Sequence, residues 1–369
     1  MINSILLNNF YITTTVFFVV SILAILMDEL IGEVPSNMHP VVFIGKLTNF
    51  FKNIYIKLDS YLSGLYLLLS VVFVFLIVSY IVLLIITYLP LIITIILFAL
   101  LLSSTFSINL LLSSAEHVRI LLENREIFAA REAVSQLVSR DLSGLNQNYV
   151  ISATIESLTE NVTDSVISPL FYYFVLGFLI IIFNCYNHLF DYSYIITNLN
   201  LFVLNNMQID ANRVVIDLIF VCIIIAYLFR IVNTQDAMVG YKTKKYIKIG
   251  FVPAICDDLL NFIPARITGY LMILSARILG MDWRNGLRIM RRDARACESP
   301  NSGYPMAAAA GSLSIQLIKR NHYILGDPIK RIEPYDIRRA YNLSRWTIFL
   351  FILFQFIILF LILIVMWII

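Results

Sequence analysis

The chain has 369 residues, 60% of them hydrophobic and 14% charged, and carries a formal net charge of only +3. This balance is far from that of a soluble globular domain and makes an integral membrane protein the default reading. The small net charge gives no footprint for a nucleic-acid partner, and the four cysteines, at 185, 222, 256 and 297, lack the short spacing of a zinc site or disulfide framework and read as buried thiols.

A helix needs roughly 17 to 25 apolar residues to cross the hydrocarbon core. The first such run, 10–27, has no basic leader or small-residue cleavage signature and is followed at once by Asp28 and Glu29, so a retained span is predicted. The stretch from Gly32 to Gly45 then carries Pro35 and Pro40 and is expected to leave helical geometry. Its Glu33 and His39 are polar candidates, with His39 as acid, base or phosphate donor, or simply as a structural hydrogen-bonder. Runs 65–88 and 91–112 are predicted as two spans separated by a turn at Pro90.

In 115–140, Ile127, Ala130, Val134 and Leu137 recur at three- and four-residue spacing, which predicts an amphipathic cytoplasmic helix with a structural role. Next, Glu156, Glu160 and Asp164 fall four residues apart on one helical stripe. Like charges so placed repel by about 0.2–0.5 kcal/mol per pair. No Lys or Arg occurs between Asp141 and Asn212, so compensation must come from elsewhere in the fold or from a bound cation, for which magnesium suits the hard oxygen ligands. A stripe that merely hydrates the membrane surface is the alternative.

Spans are predicted at 169–186 and 214–232, and the segment 187–212 between them offers no motif. After the second of these, Asn233 and Asp236 share a face at i and i+3. The apolar stretch 251–279 contains Asp257, Asp258, Arg266 and Arg277; a full crossing would put the most basic loop outside, so an interfacial or re-entrant segment is expected. Asp257 and Asp258, with Asn261 one turn on, form a metal or magnesium-phosphate candidate, and an internal salt bridge to Arg266 would satisfy the same physics. Arg284, Arg288, Arg291, Arg292 and Arg295 make a basic face for phosphates or for anionic lipid headgroups. It runs into the turn-rich Ser299–Pro305, which feeds the helix-favouring Met306–Ala310, and a last span is predicted at 346–369.

The expected fold is an all-α polytopic membrane protein with about six transmembrane helices and added cytoplasmic amphipathic and re-entrant or interfacial helices. It is read as one integral-membrane domain over 1–369, with polar loops at 28–64, 113–168 and 233–345. Lys and Arg cluster at 46–57, 119–140, 242–248 and 284–345, which places those loops in the cytoplasm and both termini outside. The middle thirds of the spans carry almost no ionisable residue, which argues against an ion or proton pathway. HExxH, GxSxG and Walker-type phosphate loops are absent.

Five segments, HPVVFIGKL (39–47), SLTENVTDSVISPLFYY (157–173), NTQDAMVGYKTKKY (233–246), DDLLNFIPARITG (257–269) and RRDARACESPNSGYPMAAAAGSL (291–313), occur in consistent order across roughly 22–340. Together they resemble the membrane-bound adenosylcobinamide-phosphate synthase family of the CbiB or CobD type. The resemblance implies an ATP- and magnesium-consuming enzyme of the inner cell membrane. Its reaction would join adenosylcobyric acid to aminopropanol or ethanolamine phosphate through an amide bond, without a permanently bound cofactor. Its partners would be those substrates, the lipid bilayer and other cobalamin-assembly enzymes.

On that reading, Glu156, Glu160, Asp257, Asp258 and His39 are the catalytic candidates. Magnesium would be held from among Glu160, Asp164, Asp236, Asp257, Asp258 and Asn261. Substrate and phosphate contacts fall to Asn161, Lys242, Arg266, Arg292, Arg295, Ser299, Asn301, Ser302 and Gly303. A non-catalytic membrane sensor or assembly factor of the same fold is one competing expectation. A corrinoid transporter is another, and it would be expected to place polar groups near mid-membrane.

Overall fold

A computed structural model describes residues 2–35, 37–138, 146–190 and 211–368. Most of the motif-free segment 187–212, and the end of the amphipathic stretch at 139–140, lie outside the described residues. The described residues form helices almost throughout. Six of these helices are long and apolar enough to cross a membrane, and the chain is a multi-pass membrane protein.

In chain order these are α1 (Ile2–Leu30), α2 (Pro40–Tyr55), α3 (Leu62–Ile86), α4 (Leu91–Ser103), α5 (Ile108–Glu123), α6 (Ile127–Ser135), α7 (Gln147–Val162) and α8 (Ser168–Phe190). They are followed by α9 (Ala211–Val239), α10 (Phe251–Leu260), α11 (Phe262–Ile278), α12 (Trp283–Asp293) and α13 (Gly303–Leu313). A hairpin of β1 (Leu317–Lys319) and β2 (Tyr323–Leu325) precedes the last helix, α14 (Pro334–Ile368). Pro90 breaks the long apolar run as expected and stands at the start of α4, where its missing N–H costs nothing.

Two elements differ from the sequence expectation. The span predicted over 91–112 is interrupted: α4 stops at Ser103 and α5 begins at Ile108. The hydroxyls of Ser103, Ser104 and Thr105 each donate to a carbonyl three residues back, a local alternative that competes with continuing the ladder. The single amphipathic helix predicted over 115–140 is instead α5 turning into α6, because Arg125 takes a left-handed conformation at φ 65°. The stretch 251–279 is neither straight nor continuous: α10 and α11 meet at Asn261 with a bend of 46°, the geometry of a broken span or a re-entrant loop.

The contacts group into two compact units. The first comprises Met1–Thr105, Pro169–Gly250 and Gln355–Ile369. In it, Leu67, Val71, Phe75 and Ser79 of α3 form a buried stripe at four-residue spacing, whereas Leu69, Phe73, Ile77 and Tyr80 are exposed on an equally apolar face. Helices apolar all round are stable in this form when lipid covers the outer face. Phe17 stacks on Tyr173 at 4.6 Å, and Tyr227 is hydrogen-bonded to Ser104 Oγ at 2.6 Å.

The second unit comprises Phe106–Ser168 and Phe251–Phe354. Its core gathers Met272, Ile273, Ala276, Met290, Ala294, Ala308, Ala309 and Leu343. The alanine run of α13 is fully buried, and a Cβ at Gly311 would lie 2.7 Å from the Asn285 carbonyl oxygen. Small residues therefore let α12 and α13 pack backbone to backbone. Of the cysteines, Cys222 is buried as expected, while Cys256 and Cys297 are only half-buried.

Candidate active site

The second unit holds most of the chemistry read from the sequence. Helix α7 starts at Asn146, whose side-chain oxygen accepts from the Tyr149 N–H. It ends in a π-turn over Thr163–Ile167 that includes Asp164. Such turns recur at functional sites because the widened turn re-aims the side chains that follow.

The acidic stripe is not uniform. Glu156 is 3% exposed; it accepts from Ser152 Oγ at 2.6 Å and from the Tyr323 hydroxyl at 2.9 Å. Ser152 Oγ in turn accepts from the Ile318 N–H at 2.8 Å, so the hairpin is fastened to α7 from both strands. Glu156 is thus a buried anchor. Replacing it with alanine would leave two hydroxyl donors without that acceptor, and a loss of about 1–3 kcal/mol is expected, readable as a lower melting temperature of the solubilised protein.

Glu160, one turn further, is half-buried. Burial first, and then the Glu160 carboxylate, push the Cys297 thiol up to about 12, opposed by a hydrogen bond with Ser302. Burial followed by the charges of Glu156 and Glu160 raises the Tyr323 hydroxyl well above its ordinary range, so it stays a protonated donor. Glu160, Cys297, Ser302 and Tyr323 therefore lie within electrostatic reach as one polar cluster.

The Cys297–Ser302 loop also reaches the second acidic pair. Asp258 accepts from Ser299 Oγ at 2.9 Å, and its carbonyl accepts from Asn301 Nδ2 at 2.8 Å. Asn301 Oδ1 accepts from Arg266 Nη1 at 3.0 Å. The Arg266 guanidinium lies between the rings of Phe262 and Tyr304, at 3.5 and 4.4 Å from their centroids. No ion pair joins Arg266 to a carboxylate among the described residues, so the salt bridge with Asp257 or Asp258 considered above is not the arrangement adopted. Asp257 instead accepts from Asn261 Nδ2 at 3.0 Å, while Asn261 Oδ1 accepts from Ser168 Oγ at 2.6 Å at the bend between α10 and α11. Gly303 permits this loop to close: a Cβ there would stand 2.0 Å from the Ala294 carbonyl oxygen.

The remaining candidates are placed differently. Arg292 directs Nε and Nη2 at Asp293 and Nη1 at Asp327, and Asp293 also accepts from the Gly326 N–H at 2.8 Å. Burial would raise the Asp293 carboxyl, but Arg292 and the Gly326 amide outweigh it and hold it below the usual range. Arg292 therefore clamps α12 to the Gly326 turn, with little donor capacity left for a phosphate. Arg295 is exposed and makes no hydrogen bond or ion pair among the described residues. Asn161 donates to the Ser157 carbonyl and accepts from Ser165 Oγ.

His39, Asp236 and Lys242 belong to the first unit. His39 caps α2, its Nδ1 accepting from the Val41 N–H at 3.2 Å, which leaves the proton of the neutral ring on Nε2. Burial, with Arg230, lowers its proton affinity against the opposing pull of Glu33. Asp236 sits near the end of α9, and Lys242 is exposed just beyond it.

Among the described residues no group of three or more His, Cys, Asp or Glu is spaced to hold a metal. Magnesium commonly takes only one or two carboxylates and completes its shell with water and phosphate oxygens. The half-buried Glu160 and Asp164 fit an ion delivered with a nucleotide better than they fit a resident one. Sequence reasoning missed Tyr323, Ser152, Cys297 and the hairpin. The turn-forming Asn321, which adopts φ 61° between Leu317-Ile318-Lys319 and Tyr323-Ile324-Leu325, is the available signal.

The fold and this cluster define a multi-pass membrane protein whose second unit gathers acidic, hydroxyl, amide and guanidinium side chains. The family profile described as CobD/Cbib protein matches residues 21–190 and 211–344, and the chain belongs to that family. It is 39% identical over 334 residues to "Probable cobalamin biosynthesis protein CobD" of Methanothermobacter thermautotrophicus, covering 90% of this chain and 95% of that protein. A protein of the same printed name from Methanocaldococcus jannaschii is 32% identical, with 91% and 96% covered. "Cobalamin biosynthesis protein CobD" of Clostridium perfringens is 28% identical, with 89% and 94% covered. No solved structure matches the chain.

Proposed function

We propose that the protein acts in cobalamin biosynthesis as an ATP-dependent ligase, forming an amide between adenosylcobyric acid and an aminoalcohol phosphate at the cytoplasmic side of the cell membrane. A carboxylate is a poor electrophile, so its oxygen first attacks the γ-phosphorus of ATP, giving an acyl phosphate and ADP. The amine then attacks the acyl carbon, phosphate leaves, and a base takes the proton lost by nitrogen.

The observation that carries this reading is Arg266, a guanidinium in cation–π contact with two rings, not ion-paired to any carboxylate among the described residues, and fixed through Asn301 to the loop that also binds Asp258. Pre-oriented in this way, it suits a phosphate. Magnesium arriving with the nucleotide would be met by Glu160 and Asp164 and would neutralise charge on the phosphates. Glu160 is also the group assigned to accept the amine proton.

The test is a mass-spectrometric assay of detergent-solubilised protein with adenosylcobyric acid, ATP, magnesium and each aminoalcohol phosphate in turn. Amide product that depends on ATP supports the ligase; binding of substrates without product, in folded protein, would point instead to a sensor or transporter.

A further inference from the structure

Helices α5, α6 and α7 enclose two adjoining cavities of about 230 and 270 Å³ that share Ser114, Gln136 and Leu137 as a common wall. Their described lining disfavours two ligand chemistries. Among the described residues neither cavity is lined by a lysine or arginine, and one is lined by Glu132, whose charge would repel a phosphate or carboxylate beside it. Among the described residues neither is lined by a phenylalanine, tyrosine or tryptophan on which a nucleobase could stack.

What the walls offer is hydrogen bonding over an aliphatic floor. The side chains of Ser114, His117, Glu132 and Gln136 have no hydrogen-bond or ionic partner among the described residues, and the last three are exposed into the groove. The other chamber is lined by Ser157, Asn161 and Ser165, whose polar atoms already bond to one another or to backbone, and by Leu110, Leu111 and Leu158. A carboxylate, an amide and an imidazole over leucine and alanine match a ligand that is uncharged, rich in amide N–H groups and otherwise apolar. A corrinoid macrocycle has this character, since its apolar ring edge carries carboxamide arms.

We infer that this groove docks the carboxamide-bearing rim of the corrinoid, with Glu132 accepting from amide N–H groups and rejecting arms that end in carboxylate. The assignment rests on the amide-ligase reading and extends it to specificity: an incompletely amidated corrinoid is refused before activation. Asn161 lines the groove and neighbours Glu160 on α7, which keeps the docked rim beside the acidic stripe.

Equilibrium dialysis of the full solubilised chain, read by corrinoid absorbance, tests it with cobyric acid, which carries amides, and cobyrinic acid, which carries carboxylates. Magnesium-ATP binding is measured in parallel. The native protein should favour cobyric acid by at least about tenfold. Glu132→Gln should shrink that preference and Glu132→Lys should reverse it, while Gln136→Ala weakens cobyric acid about tenfold; ATP affinity stays unchanged in all three. An unaltered preference in both Glu132 variants, with cobyric acid still bound, would overturn the groove assignment and leave the ligase standing. If the native protein binds neither corrinoid, the ligase reading fails and the groove assignment falls with it.

Discussion

Glu160→Gln is expected to lower ATP-dependent amide formation by about 10²- to 10³-fold, because it removes a charge and a proton acceptor while keeping the side chain's shape. The contrast with Glu156 sharpens the expectation. Both lie on one face of α7, yet Glu156 is 3% exposed and held by two hydroxyl donors, whereas Glu160 is half-buried. Loss of Glu156 should therefore appear first in stability, and loss of Glu160 in turnover. A second readout is independent of activity. Burial and then the Glu160 charge raise the Cys297 thiol to about 12, so neutralising Glu160 must lower that value and increase the thiolate fraction at any given pH. Alkylation of Cys297 should accelerate in Glu160→Gln relative to the native chain. Faster alkylation with full turnover would keep Glu160 in the pocket but move the proton acceptor to the Asp257–Asp258 pair.

The helical, multi-pass character was legible because hydrophobic run length is set by bilayer thickness and needs no tertiary information. The same signal could not see the interruption at Ser103–Ser107, where local hydroxyl-to-carbonyl bonds compete with the helix inside a run that stays apolar on both sides. In the site, i and i+4 spacing correctly put Glu156 and Glu160 on one face but said nothing of burial, and burial separates their roles. Arg292 shows the same limit. Its place in an arginine-rich face suggested phosphate, but Asp327, 35 residues away in sequence, takes up its Nη1 in the fold. Tyr323 was passed over because a three-residue strand inside a polar loop carries almost no periodic signal.

Arg266→Lys is expected to behave nearly as badly as Arg266→Ala, which distinguishes a shaped phosphate site from a merely positive one. The guanidinium is planar, and its fit between Phe262 and Tyr304 depends on that planarity. A lysine ammonium would keep the charge but could neither fill the slot nor donate to Asn301 while presenting a fork to a phosphate. A fall of about 10- to 100-fold in catalytic efficiency is expected for the lysine variant, carried mainly by a higher KM for ATP or the aminoalcohol phosphate. Changes at the slot itself separate packing from charge. With lysine at 266, Tyr304→Phe keeps a ring for the aliphatic stem and should neither help nor harm, whereas Tyr304→Ala should remove what affinity remains. Native-like kinetics in Arg266→Lys would mean that charge alone suffices. The ring-flanked, carboxylate-free geometry would then be a packing device for the α10–α11 bend, and the phosphate would have to be sought along the exposed arginines of α12.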